Sequence, residues 1–109
     1  MADSFKDREK GYEAKYQHDQ EMLFKITARR NKLLGLWAAE IMGISGDDAE
    51  IYANEVVASD FEEVGDADVV RKVLGDLSQA GSEITETELR KRMNILGDGA
   101  RQQIEDELL

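Results

Sequence analysis

The chain has 109 residues, 41% of them hydrophobic, 35% charged and 6% aromatic, which is room for one small domain and not for two. Fourteen Lys and Arg against 24 Asp and Glu give a formal charge of −10, so a phosphate backbone would be repelled and nucleic acid is an unsuitable partner. With no cysteine and a single histidine, His18, disulfides, thiolate metal sites, cysteine nucleophiles and His-only metal clusters are excluded; with no proline, nothing interrupts long helices and an all-α fold is expected.

The first segment runs from about Ser4 to Met42 and closes at Gly43, a residue able to take the left-handed conformation that ends a helix. It divides in two. From Leu23 to Ile41 the apolar residues Leu23, Phe24, Ile26, Leu33, Leu34, Leu36, Trp37, Ala38 and Ile41 are dense enough to enter a core. Between Ala2 and Glu21 only Phe5, Tyr12 and Tyr16 are large and apolar, and charges surround them. At about 100° per residue, Phe5, Tyr12, Tyr16 and Leu23 fall within roughly 20° of one line on a helix, a narrow aromatic stripe. Such a stripe either extends the first core helix onto a neighbour or marks a separable amphipathic helix with anchors at i, i+7 and i+11 for a partner's groove. Gly11 lowers the helicity of this stretch. Nothing in it has the apolar run of a signal peptide or a membrane span, which predicts a cytoplasmic protein without direct membrane insertion.

After the connector at 44–47, where Ser45 with Asp48 or Asp47 with Glu50 can pair as caps, a second helix is predicted over about 48–62, with Ala49, Tyr52, Ala53, Val56, Val57 and Phe61 on one face. The third begins at an Asp66 cap and carries Val69, Val70, Val73, Leu74, Leu77 and Ala80 up to Gly81. The fourth starts at Thr85, paired reciprocally with Glu88, and buries Leu89, Met93, Leu96, Ala100, Ile104 and Leu108. Gly97 and Gly99 each cost roughly 1 kcal/mol against Ala there, which predicts a bend or fraying. Four stripes joined by short connectors predict a small four-helix bundle. Its expected core is Leu23, Ile26, Leu34, Trp37, Ile41, Val56, Val73, Leu77, Met93 and Leu96.

Charge is unevenly divided: residues 1–46 carry +1 and residues 47–109 carry −11. The cluster Lys25, Arg29, Arg30 and Lys32 could hold a nucleotide phosphate, with ADP or ATP as weak ligands, or could be a solvated face pairing with the acidic second half. The run Asp60, Glu62, Glu63, Asp66 and Asp68 lacks the spacing and the bidentate glutamate of a calcium loop and reads as helix-end chemistry. His18, in a charged stretch, reads as a surface residue whose best use is a pH-sensitive charge. No phosphate loop, nucleophile elbow, zinc helix or dinucleotide fingerprint occurs, so no catalytic residue and no cofactor is assigned.

The string ARRNKLLGLWAAEIMG (28–43), followed by YANEVVASDFEEVGDADVVRKV (52–73), resembles the ATPase-inhibitor zeta subunits of alphaproteobacterial F-type ATP synthases, and FKDREKGYEAKYQHDQEMLFK (5–25) matches that family's pattern as well. The last third of the chain matches only in amphipathic character. The resemblance implies a four-helix domain over 21–109 and a mobile inhibitory segment over 1–20. It implies that this segment enters a catalytic interface between the alpha and beta subunits of the soluble head, against the gamma subunit of the rotor, and blocks rotation in the hydrolysis direction. Carried onto this chain, the partner-binding residues are Phe5, Tyr12 and Tyr16 as apolar anchors and Arg8, Lys10 and Lys15 as ion-pair partners. The protein would then attach to the inner membrane only through the synthase. Gly11 departs from the helix-favouring residue expected at its position, which raises the ordering cost of binding.

Overall fold

A computed structural model describes the backbone of residues 2–61 and 65–108 and the side chains of residues 19–61 and 65–108. The protein is an all-α four-helix bundle: α1 spans Ala2–Ile41, α2 Gly46–Ser59, α3 Ala67–Gln79 and α4 Glu86–Glu107. α1 closes as its glycine predicts. Gly43 sits at φ 76°, its N–H donates to the Glu40 carbonyl (3.2 Å), and the Ile44 N–H reaches back to the Ala39 carbonyl (2.8 Å). This left-handed cap returns Ile44 onto the core.

The main core joins all four helices through Leu34, Ala38, Val56, Val69, Val73, Leu77 and Leu89, each fully buried, with Tyr52, Val70 and Met93 close to it. A second cluster, Ile26, Ala100 and Ile104, with Met22 and Leu33 against it, fastens the middle of α1 to the far end of α4. α1 and α2 cross at a point the sequence pattern does not flag. A Cβ on Gly35 would lie 2.6 Å from the Cα of Ala53 and 3.2 Å from Cγ2 of Val56, so the two backbones touch where α1 has no side chain.

Several expectations are corrected. Leu23 (53% exposed) and Ile41 (42%) are outside the core. Leu23 lies about 60° around the helix from Ile26, off the face that meets α4, and Ile41 is the last residue of α1. Phe61 and Leu108 are exposed as well; each follows the last residue of its helix, so the helical period no longer positions it. Ala80 is exposed for the same reason, while Leu96, Val57, Leu74 and Ala49 are half-buried. α4 is one helix through Gly97 and Gly99: Leu96 and Ala100 on either side pack into the two core clusters, which outweighs the propensity cost. The Thr85 hydroxyl accepts from the Glu88 N–H (3.2 Å) as its spacing predicts. Ser45 and Asp66 occupy N-cap positions without a side-chain cap bond. Asp66 instead pairs with Arg90 of α4 (3.2 Å).

Polar groups add specific links. The Tyr52 hydroxyl donates to Asp76 Oδ2 (2.9 Å), and Lys72 holds the same oxygen (3.2 Å) with its ammonium 5.3 Å from the Tyr52 ring. Burial, then the Asp76 hydrogen bond and charge, push the Tyr52 hydroxyl above the usual phenol range, so it stays a donor in this link between α2 and α3. Asp68 is buried, a place the acidic run does not suggest: one oxygen accepts from Arg71 (2.9 Å) and Oδ2 has no partner among the described residues.

Trp37 is half-buried against the main core rather than enclosed by it, and the Arg92 guanidinium lies over its ring at 5.4 Å. Trp37→Ala should therefore cost about 2 kcal/mol, below the ~3–5 kcal/mol of a fully buried tryptophan. A chemical-denaturation midpoint equal to wild type would remove Trp37 from the packing altogether.

Candidate functional site

Helix lengths decide what can be free for a partner. At 1.5 Å per residue the 40 residues of α1 span about 60 Å, whereas the 22 residues of α4, its longest companion, span about 33 Å. The two run antiparallel: Ile26 packs with Ile104 near the end of α4, whereas Trp37, further along α1, lies under Arg92 near the start of α4, and Arg29 Nη2 meets Glu107 at 2.7 Å. The bundle thus accounts for about half of α1, from Met22 onward. The backbone of α1 is helical through Gly11. The side chains of Phe5, Arg8, Lys10, Tyr12, Lys15, Tyr16 and His18 lie outside the described residues.

The basic cluster is split by the helix. Lys25, Arg29 and Lys32 stand at i, i+4 and i+7, a spacing that puts them on one face. They line an open groove of about 400 Å³ with Phe24, Ala28, Val57 and Ile104. Arg30, 100° further round, leaves it. Its Nε and Nη2 donate to Oδ1 of the buried Asn31 (3.1 and 3.0 Å), and its stem lies where a Cβ on Gly97 would touch it at 3.6 Å. The groove is already partly neutralised. Arg29 donates to Gln103 Oε1 (2.9 Å) and pairs with Glu107, and Lys32 pairs with Glu50 (3.3 Å). These are half-exposed pairs of small individual worth, but an incoming anion would compete with both carboxylates.

At the base of the bundle lies a feature that the sequence pattern does not reveal. The rings of Phe24 and Phe61 meet with centroids 5.9 Å apart, yet they remain 56% and 66% exposed, and Leu23, the residue before Phe24, is 53% exposed. The signal available was only that three large apolar residues fall at the ends of their stripes. Among the described residues no group of three or more His, Cys, Asp or Glu could hold a metal ion, and no helix is long and apolar enough to cross a membrane.

A family model described as ATPase inhibitor subunit zeta matches residues 1–103. A protein solved by solution NMR is 53% identical over 79% of this chain and 98% of its own, with a TM-score of 0.70. No curated protein sequence matches.

Proposed function

This chain belongs to the family of ATPase inhibitor zeta subunits, and from that membership we propose that it inhibits ATP hydrolysis by an F-type ATP synthase through its N-terminal segment, residues 2–20. The family match supports an inhibitory rather than a catalytic role. The observation that carries the finer reading is the length of α1 against its companions, about 60 Å against at most about 33 Å. A helix that long has turns to offer a partner without dismantling the core. In this reading the segment is mobile when free and enters the catalytic interface between alpha and beta subunits. Phe5, Tyr12 and Tyr16 anchor it, Arg8, Lys10 and Lys15 pair with carboxylates, and it blocks the gamma subunit's rotation in the hydrolysis direction. The experiment is ATP hydrolysis by the cognate catalytic head with and without the protein. Dose-dependent loss of hydrolysis is expected, and an unchanged rate at saturating protein contradicts the proposal.

Gly11 supplies a finer test. If the segment is only partly helical when free and helical through Gly11 in the complex, Gly11→Ala lowers the ordering cost and should tighten inhibition, by up to about 1 kcal/mol or roughly fivefold in the dissociation constant. A weaker Gly11→Ala inhibitor would mean a bend there or a partner backbone against the missing side chain. Tyr12→Ala, measured alongside, should inhibit poorly.

A second reading is a small helical protein that binds ADP or ATP through Lys25, Arg29 and Lys32 in the 400 Å³ groove. Its convergence of three cations favours it, and the Glu107 and Glu50 pairs weigh against it. Chemical-shift changes at Lys25, Arg29 and Lys32 on adding nucleotide would support it, with Arg30, outside the groove, little affected.

A further inference from the structure

Two separate clusters fasten α1, and they divide α4 at its weakest point. Leu96 packs against the main core and Ala100 belongs to the second cluster; between them lie Gly97 and Gly99, the two poorest helix residues of α4. Nothing stands within 4 Å of a Cβ at Gly99, so no packing against it offsets its propensity. Helix α4 therefore has a soft joint, with the main core on one side and residues 100–107 on the other. We propose that residues 100–107 form a clamp that fixes where the body of the bundle ends and the inhibitory segment begins, with Ile104 and Glu107 as its positioning residues. This rests on the proposed function and adds to it the device that holds the segment's root.

The clamp grips one face of α1. Met22, Ile26, Arg29 and Leu33 follow one another at i, i+4, i+7 and i+11, within about 60° of helix surface. Met22, Ile26 and Leu33 pack with Ala100 and Ile104, and among them Arg29 reaches Gln103 (2.9 Å) and Glu107 (2.7 Å). Toward the N-terminus the same face would continue through positions 19, 18 and 15, which are Asp19, His18 and Lys15. The apolar face of α1 thus runs out where α4 ends, at Glu107. Little else holds residues 22–30. Ile26 is their one buried side chain, the Phe24 contact with Phe61 is exposed, and the main core takes up α1 only from Leu34. A cavity of about 20 Å³ among Met22, Lys25, Ile104 and Leu108 leaves the tip of the clamp incompletely filled. A small cluster apart from the main core, behind a soft joint, opens at lower cost than the fold as a whole. Once open, it adds residues 22–30 to the stretch that must be ordered in a partner, and so weakens binding.

The test is native-state hydrogen exchange, together with inhibition of the catalytic head, on full-length wild type, Ile104→Ala and Gly99→Ala. In wild type the amides of 26–30 and 101–105 should exchange at one shared rate, faster than those of 35–39. Ile104→Ala removes the clamp's buried contact and should speed exchange at 26–30 at least about tenfold, with 35–39 still protected and the melt cooperative. Gly99→Ala stiffens the joint and should slow exchange at 26–30 by up to about fivefold. Ile104→Ala should inhibit several-fold less tightly, whereas Gly99→Ala should inhibit at least as well as wild type. Exchange of 26–30 and 35–39 at one rate in wild type overturns the clamp. So does an Ile104→Ala protein that leaves 26–30 as protected as before or does not fold, and so does Gly99→Ala without slower exchange there. Wild-type inhibition by Ile104→Ala with 26–30 open overturns the positioning role. A wild type that does not inhibit overturns the proposed function, while the exchange pattern still decides the clamp.

Discussion

Replacing Gly35 with alanine should lower the melting temperature by roughly 5–15 °C, although alanine is the better helix former. The new methyl carbon would stand 2.6 Å from the Cα of Ala53, 3.1 Å from its Cβ and 3.2 Å from Cγ2 of Val56. The first of these is backbone and cannot rotate away, so α1 and α2 must separate by about 1 Å to restore ordinary contact. That separation pulls Leu34 and Ala38 away from Tyr52 and Val56 in the main core. Overpacking of this kind costs about 1–3 kcal/mol, occasionally more, against a propensity gain of up to about 1 kcal/mol. A net loss follows. Gly75→Ala is the control: it lies in α3 with nothing within 4 Å of the added carbon, so only the propensity gain remains and the melting temperature should hold or rise. A Gly35→Ala protein that melts at or above wild type would show that the helices do not touch there.

Gly35 also shows where sequence reasoning stops. In LLGLW the glycine reads only as a weak helix residue, because nothing local says that another backbone will pass against it. Val69, Val73 and Leu77 were legible as one face, since a 3–4 spacing has a single helical meaning. Thr85 with Glu88, and the closing glycines 43 and 81, were legible because caps are local. Exposure at the ends was not. Ile41, Phe61 and Leu108 continue their stripes on paper, but burial depends on whether a neighbouring helix still runs alongside, and Leu23 lies off the face that α4 covers. The same non-locality hid the burial of Asn31 and Asp68, and it kept α4 continuous through Gly97 and Gly99, where Leu96 and Ala100 pack into the core clusters.

The candidate site divides in the same way. The aromatic stripe and the basic cluster were visible as patterns, and the spacing of Lys25, Arg29 and Lys32 already places them on one face with Arg30 off it. Their partners were not visible, because Glu50, Gln103 and Glu107 come from α2 and α4, and only the folded bundle brings them to α1. The Phe24–Phe61 contact likewise joins positions 37 residues apart, and no pattern along either helix predicts it.

The largest functional effect should come from deleting residues 2–20. Among the described residues, both core clusters are built from Met22 onward, and α4 is long enough to accompany only about half of α1. The shortened protein should therefore keep its cooperative melt within a few degrees of full length, with proportionate helical signal. Having lost Phe5, Arg8, Lys10, Tyr12, Lys15 and Tyr16, the residues proposed to enter the catalytic interface, it should not inhibit. The decisive measurement is ATP hydrolysis by the catalytic head, titrated with full-length and with shortened protein of verified melting behaviour. Inhibition by the first and an unchanged rate with the second are expected; a folded, shortened protein that inhibits as strongly as the full chain would show that residues 2–20 are not the inhibitory segment.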